Sequence, residues 1–512
     1  MRIARALISV SDKTGILAFA RELQDLGIEI ISTGGTANFL KKNGAKVKDI
    51  SDFTGFPEIL DGRVKTLHPK VHGGILAIRE KEEHIRELRK HDIEPIDLVI
   101  VNLYPFEKTI RSGGTIEEAI ENIDIGGPAM LRSAAKNYRN VVVIVNPNEY
   151  NEVLKELREK DGTLSDKTRE RLAMEAFAHT ARYDTIISNY LRRMFRGEEF
   201  PEALSLTYKK IQNLRYGENP HQKAAFYGDD IKEPSIANAR KLWGKELSYN
   251  NILDLEASLE VVKEFENPTC VIVKHTNPIG VATAERIFDA YKLAHQTDQI
   301  SEYGGIIALN REVDAETAQG MSSVFLEAII TPKFSREALD ILKKKKNIRL
   351  LELEMEPSKR DEKGIISVVG GLLVQERDVR ELDVRDLKIM TKRAPTDEEM
   401  RSLLFAFKVV RYCKSNALVF AKGERTVAIG FEQPSRVDAA RIAVNKSGEK
   451  VKGAVVASDG FLPFRDVIDV VAGAGVTAII QPGGSIRDQE VIGAANEYGI
   501  AMVFSGMRVF KH

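Results

Sequence analysis

Cysteine is nearly missing from this chain: Cys270 and Cys413 are the two among 512 residues. Two thiols so far apart in sequence build neither a disulfide framework nor a multi-cysteine zinc site, and they point to a reducing compartment. A zinc-dependent deaminase needs a Pro-Cys-x-x-Cys ligand pair, which is absent, so a metal-activated water is not expected and no metal ligands are assigned. Net charge is missing as well, because 75 Lys and Arg balance 75 Asp and Glu. A protein that lives on nucleic acid carries a basic excess, so that class is disfavoured. No run of about 18 apolar residues occurs, so no membrane span is expected. The N-terminal apolar run is too short and too soon charged for a signal peptide, and a cytoplasmic protein is the default. The composition, 43 % hydrophobic and 29 % charged, is that of a globular chain with a buried core. At roughly 150 residues per domain, about three domains are expected.

What is present over residues 1–145 is an alternation of short apolar runs with helical patterns. Residues 5–10 read as a strand, 13–26 as a helix ending before Gly27, and 28–32 as a strand, with a helix after Gly34 and Gly35. Residues 98–103 and 141–145 are further strands. Continuous apolar strands separated by helices predict an α/β fold with a parallel sheet covered on both faces. Such sheets bind ligands at the carboxyl ends of their strands. Residues 146–199 read as a charged helical connection, with Glu199-Phe200-Pro201 marking a boundary. Residues 200–512 are again mixed α/β and contain two similar stretches. In one, a helix over 255–265 leads into the strand 270–273 and then Lys274-His275-Thr276-Asn277. In the other, a helix over 398–407 leads into an expected strand at 409–413 and then Lys414 and Asn416. The repetition predicts two related α/β halves. The lysine run 343–346 reads as a solvated helix end.

Several stretches have the residue types of an anion site. Ser32-Thr33-Gly34-Gly35-Thr36 follows a strand and opens a helix, where glycines let the backbone approach a phosphate, hydroxyls donate and the helix start favours negative charge. An isolated Gly-Gly here would as readily be an ordinary turn, and the stretch matches neither the Walker loop nor the dinucleotide fingerprint. Ser11-Asp12-Lys13-Thr14-Gly15 ends the first strand on the same rim of the sheet. Residues 61–74 hold Arg63, Lys65, His68, Lys70 and His72 without apolar periodicity; an extended segment would point Arg63 and Lys65 to one side. Thr115-Ile116-Glu117-Glu118 is a capping box, and Pro128 after Gly126-Gly127 suits a first helical position. Arg132 and Lys136 share one helix face; by themselves they would be a surface stripe, but beside the glycine loops they favour an anionic ligand. In the second part, residues 213–222 are dense in polar and turn residues. Lys274-His275 at a strand end suits acid–base work, although a lone strand-end histidine is more often structural. Asn416 could offer an amide to a developing oxyanion. Gln481-Pro482-Gly483-Gly484 is another glycine turn after an apolar strand.

Together these motifs resemble the family that joins phosphoribosylaminoimidazolecarboxamide (AICAR) formyltransferase to inosine monophosphate (IMP) cyclohydrolase. The resemblance covers essentially the whole chain. Its motifs are residues 11–15, 32–36, 61–74, 102–106, 123–127, 213–222, 274–278, 414–416, 465–466 and 481–490. Two stretches depart from the family's pattern: Ser301-Glu302-Tyr303-Gly304 stands where Ser-Ala-Phe-Gly is more usual, and Gly460-Phe461-Leu462 where Ala-Phe-Phe is. Both bear on the shape of the formyl-donor pocket.

The resemblance implies a methylglyoxal-synthase-like parallel-sheet domain over 1–145 that closes formyl-AICAR to IMP. It also implies a pair of cytidine-deaminase-like halves over 200–512, without metal, that transfers a formyl group from 10-formyltetrahydrofolate to the 5-amino group of AICAR. For ring closure it implies Lys136 as proton-transfer residue, with Lys65, Tyr104 and Asp124 positioning and polarising. Ser11, Asp12, Lys13, Thr33, Gly34, Gly35, Thr36, Arg63, Thr66 and Asn102 would hold the nucleotide. For formyl transfer it implies His275 as base, Lys274 stabilising the tetrahedral intermediate, and Asn416 orienting the imidazole or donating to the oxyanion. Arg215, Tyr216, Gly304, Glu327 and Arg436 would bind AICAR, and Asp459, Gly483, Gly484 and Arg508 would face the folate. A cytoplasmic homodimer is implied. A phosphate-effector module with an inactive partner domain is the alternative, and it would not need Lys65, Lys136 or the Lys274-His275 pair.

Overall fold

A computed structural model describes residues 2–229, 233–355 and 363–512. The chain forms two compact units, one up to Thr207 and the other from Tyr208 onward.

In the first unit five strands form one sheet: β1 (Arg5–Val10), β2 (Glu29–Ser32), β3 (Lys48–Asp49), β4 (Leu98–Asn102) and β5 (Val142–Ile144). All neighbours are parallel and the order is β3-β2-β1-β4-β5. Successive strand residues serve opposite cores, as the pleat requires. Ile8 and Ile100 pack with Phe19, Tyr150 and Leu157 on one face, while Leu7, Val99 and Val101 pack with Ile75, Leu131 and Tyr183 on the other. The order runs outward from β1 in both directions. The crevice between β1 and β4 is therefore the switch point at which such sheets take ligands. Residues 146–199, expected as a connection, hold the helices Tyr150–Glu159 and Asp166–Arg196. Each packs on one face of this sheet, so the compact unit runs past residue 145.

The second unit opens with a two-stranded pair, β6 (Lys209–Leu214) and β7 (Ala224–Gly228), followed by β8 (Arg240–Trp243). Its first half has the helix Tyr249–Val262, the antiparallel pair β9 (Thr269–Lys274) and β10 (Asn277–Thr283), then β11 (Gly305–Leu309), β12 (Leu326–Thr331) and β13 (Arg349–Glu352), with helices between. Next come an exposed hairpin of β14 (Lys363–Val368) and β15 (Gly371–Glu376), and the short β16 (Lys388–Ile389). The second half repeats the plan: helix Asp397–Val410, antiparallel β17 (Leu418–Lys422) and β18 (Arg425–Gly430), then β19 (Val455–Ser458), β20 (Ala478–Gln481) and β21 (Ala501–Phe504). One twelve-stranded sheet contains both, in the order β16-β21-β20-β19-β17-β18-β10-β9-β11-β12-β13-β8. The halves join where β10 meets β18.

Two related halves are thus present, but the strand expected at 409–413 is not. Val409 and Val410 finish a helix and residues 411–416 form a turn. Both valines are fully buried on that helix, and a short apolar run does not by itself distinguish helix from strand. The true counterpart of β9 is β17, which follows Asn416 rather than preceding Lys414.

Two candidate active sites

The first site lies at the carboxyl ends of β1, β2 and β4. Asn102 closes the rim: its Oδ1 accepts from the backbone N–H groups of Ser11 at 2.6 Å and Asp12 at 2.9 Å, and its Nδ2 donates to the Asp12 carbonyl at 3.0 Å. The Asp12 carboxylate turns back to Thr14, whose hydroxyl and N–H hold it below the usual carboxylate range. The hydroxyls of the 32–36 loop are spent on β1, contrary to the expectation that they face a phosphate. Ser32 donates to the Ile8 carbonyl, Thr36 donates to the Val10 carbonyl, and Thr33 pairs with the Ser9 hydroxyl at 2.7 Å. What this loop offers an anion is its backbone, since the first N–H groups of the helix beginning at Gly34 have no intrahelical acceptor.

Residues 60–62 all have positive φ, which makes a tight turn instead of an extended run. Arg63 and Lys65 consequently diverge. Arg63 pairs with Glu121 in solvent, whereas the Lys65 ammonium lies beside Gly34 and Gly62, together with Glu58. The second half of the 61–74 stretch is helix Pro69–Leu76, which His68 caps by accepting from Lys70 N–H at 3.1 Å.

Asp124 is a half-buried carboxylate of this site. Its carboxylate accepts from Gly127 N–H at 2.8 Å, just before the helix Gly126–Lys136. Burial pushes its carboxyl above the usual range, against the N–H groups of Gly127 and Tyr104 and the charge of Lys65. Residue 127 must be glycine, because a Cβ there would stand 2.4 Å from the Asp124 carboxylate and 2.7 Å from Leu103. Thr66 is buried against Gly126, while Tyr104 keeps its ring 43 % exposed.

Lys136 does not join this group. It ends the helix that Gly126 begins, which places it about 15 Å along the axis from the Asp124 end. There it lines a separate cavity of about 800 Å³ with Arg132, Tyr138, Met174 and Phe177. The shared face of Arg132 and Lys136 is real, but it opens away from the glycine loops.

Sequence reasoning missed Tyr183, which comes from the long helix 166–196. Its hydroxyl accepts from Asp124 N–H at 2.8 Å and donates to the Asn122 carbonyl at 3.1 Å.

The second site is built on the β9–β10 turn. His275 and Thr276 both have positive φ, 50° and 64°, which side-chain-bearing residues adopt only when held. Asp254, from the helix Tyr249–Val262, holds them: its carboxylate accepts from Thr276 N–H at 2.6 Å and His275 N–H at 3.3 Å. Burial pushes Asp254 up, opposed by those N–H groups and by the charges of His275 and Lys274. The His275 ring is exposed, and Lys274 Nζ donates to the Tyr303 carbonyl at 2.7 Å. Gly304 then bonds to the Phe325 carbonyl, two residues before Glu327, which is ion-paired with Arg349.

Asn277 stitches this turn to the loop that leads into β17 in the other half, donating to the His275 carbonyl and accepting from Lys414 N–H at 2.9 Å. The Asn416 amide nitrogen already donates to the carbonyls of Gln433 and Pro434, at 2.8 and 3.1 Å, so its free polar atom is the oxygen. Arg436 and Asp459 are paired with each other, buried, at 2.8 Å, and Asp459 also accepts from the Ser415 hydroxyl. They brace the 414–416 loop instead of offering free charges. Gly483 has a φ of 74°, and a Cβ there would fall 2.3 Å from the Phe504 ring. Gly484 N–H donates to Asp488. Arg508 lies 4.7 Å over the Phe510 ring. Arg215 sits over Tyr216 at 5.6 Å, on a loop tied to the helix Tyr249–Val262 through Asn250.

The comparisons with known proteins show the family. A family model described as AICARFT/IMPCHase bienzyme matches residues 134–446, and an MGS-like domain model matches 15–129. The chain belongs to the AICARFT/IMPCHase bienzyme family. Among its relatives, proteins named bifunctional purine biosynthesis protein PurH from Acetivibrio thermocellus and Bacillus subtilis are 57 % and 53 % identical, each aligned over 100 % of both chains. One from Ruminiclostridium cellulolyticum is 54 % identical over the same full span. Membership makes this chain a bifunctional enzyme, an AICAR formyltransferase and an IMP cyclohydrolase.

Proposed function

We propose that the last two steps of IMP synthesis are divided between the two units: formyl transfer on the second, ring closure on the first. The observation that carries the division is that each unit holds its own lysine beside a separately clamped acid–base group. In the first unit Lys65 stands by Gly34 and within Coulombic reach of half-buried Asp124. In the second, Lys274 neighbours His275 on a turn fixed by Asp254.

In formyl transfer the 5-amino group of AICAR attacks the formyl carbon of 10-formyltetrahydrofolate. That amine is a poor nucleophile, because its lone pair is delocalised into the imidazole and carboxamide. His275 takes its proton as the bond forms. Lys274, its ammonium anchored by the Tyr303 carbonyl, stabilises the oxyanion and supplies the proton that leaves with the folate nitrogen. The Asn416 oxygen orients the imidazole.

In ring closure the carboxamide nitrogen attacks the new formyl carbon and water departs. A carboxyl whose burial favours the protonated form suits the departing oxygen, which is the part given to Asp124, with Lys65 polarising and Tyr104 covering the rim. Lys136 has no direct part in this scheme. The phosphate rests on the backbone at 33–36, beside Lys13. Transfer is close to reversible, and closure draws it forward.

We further read the enzyme as a homodimer working on small molecules in the cytoplasm. The exposed apolar side chains Ile366, Val369, Leu372 and Leu373 on the β14–β15 hairpin support the dimer.

The test is incubation with AICAR and 10-formyltetrahydrofolate, following formyl-AICAR and IMP by mass. His275→Ala should abolish transfer yet still close supplied formyl-AICAR, and Lys65→Met should do the reverse. Loss of both activities in either variant would overturn the division.

A further inference from the structure

Glu302 is a carboxylate with nowhere to go. It is fully buried, between the helix Ile287–His295, strand β9 and the loop that enters β11. One oxygen is bonded to His295 Nδ1, and the other, Oε1, is buried without a hydrogen-bond partner. The His295 ring is itself stacked on Tyr291, 5.8 Å between centroids. The titratable groups that face Glu302 are His295 and Tyr291 from that helix and Cys270 from β9. On its own loop Asp298 lies behind Ser301 and is paired with Lys446. Burying a carboxylate on one partner is costly, and such pairs are better explained by the geometry they impose than by stability.

The geometry imposed here is specific. The Glu302 carbonyl accepts from Gly305 N–H at 2.7 Å, closing a turn around Tyr303 and Gly304. The carbonyl of Tyr303, inside that turn, is the acceptor that holds Lys274 Nζ. Gly304 N–H bonds across to Phe325. A displacement of Glu302 therefore moves the atom that aims the lysine.

We propose that Glu302 is a positioning residue for formyl transfer: anchored on His295, it fixes the turn whose Tyr303 carbonyl directs the Lys274 ammonium. This rests on the reading that Lys274 serves that reaction. It adds a residue that touches no reactant and acts one turn away.

The experiment compares full-length Glu302→Ala, Glu302→Gln and Lys274→Met. Transfer from 10-formyltetrahydrofolate to AICAR and closure of supplied formyl-AICAR are measured in each, with Tm alongside. Misplacing a reacting group by a fraction of an ångström costs on the order of 10- to 100-fold. Glu302→Ala should lose about that much in kcat for transfer, with KM for AICAR nearly unchanged and closure intact. Glu302→Gln keeps the shape and one acceptor oxygen, so it should recover part of the rate. Burial raises the Glu302 carboxyl above its usual range, against the pull of His295. The parent should therefore lose kcat for transfer as acidification protonates it, a limb that Glu302→Gln lacks.

If Lys274→Met is inactive while a folded Glu302→Gln shows the parent's kcat and the parent's pH profile, the positioning role is wrong. Should Glu302→Ala fail to fold, Glu302→Gln alone decides. If Lys274→Met still transfers formyl groups, the underlying reading of the site has failed instead.

Discussion

Replacing Tyr183 by Phe isolates one hydroxyl that joins a helix outside the sheet to the loop carrying Asp124. The ring is 8 % exposed and packs edge-on against Phe106, 6.4 Å between centroids, which Phe preserves. What disappears is the acceptor for Asp124 N–H and the donor to the Asn122 carbonyl. Burial pushes the Tyr183 phenol up to about 12, so the hydroxyl keeps its proton throughout the working range. Two hydrogen bonds at about 1 kcal/mol each, with their partners left half-buried, amount to ~2 kcal/mol. For a unit of this size each kcal/mol shifts Tm by roughly 2–4 °C, so the thermal transition of the first unit should fall by about 4–8 °C. Calorimetry of the full chain reads that shift. Ring closure of supplied formyl-AICAR should slow by about tenfold or more as Asp124 loosens, while formyl transfer should be unaffected. A Tyr183→Phe protein with the parent's Tm and the parent's closure rate would refute the claim that this helix holds the site.

Asp254→Ala removes the acceptor for two N–H groups of the strained turn, so kcat for formyl transfer should drop at least about tenfold in steady-state assays while closure continues. Gly483→Ala forces a Cβ into Phe504 at a φ of 74°, which should cost about 1–3 kcal/mol in chemical denaturation of the second unit. Burial pushes Glu156 up, but hydrogen bonds from Lys160, Thr168 and Ser165 outweigh it and hold the carboxyl at about 2. Its folded-state value is below its unfolded one, so its contribution is complete above about pH 4.5 and is lost as pH falls through about 2. Glu156→Gln should lower Tm at neutral pH and flatten its decline in acid; parallel Tm curves for the two proteins would count against the assignment.

Much of this architecture is written locally. The strands at 5–10 and 98–102 carry the apolar runs 6–8 and 98–101, which a sheet buried on both faces demands. The Thr115 capping box formed as its spacing predicts. The repeat in the second unit is visible in sequence because each half has a helical pattern, an apolar stretch and then a Lys and an Asn, but its register is not. Val409 and Val410 are as apolar as a strand, and only the packing of helix Asp397–Val410 assigns them. Candidate site residues such as Lys65, Asp124 and His275 stand out in sequence as ionisable groups beside apolar or glycine-bearing stretches. Their supports were not. Tyr183 and Asp254 lie 59 and 22 residues from the groups they hold, and nothing local marks them. Lys136 shows the converse: its local pattern is persuasive, but the helix that carries it sets it about 15 Å along the axis from the Asp124 end.

The seam between β10 and β18 has a consequence for how such a unit could arise. Severed there, each piece would be a six-stranded sheet with a bare margin, and bare margins recruit further strands. A lone piece would be expected to associate with its own duplicate across that margin. Tethering the two in one polypeptide makes the association obligatory and leaves each copy free to specialise.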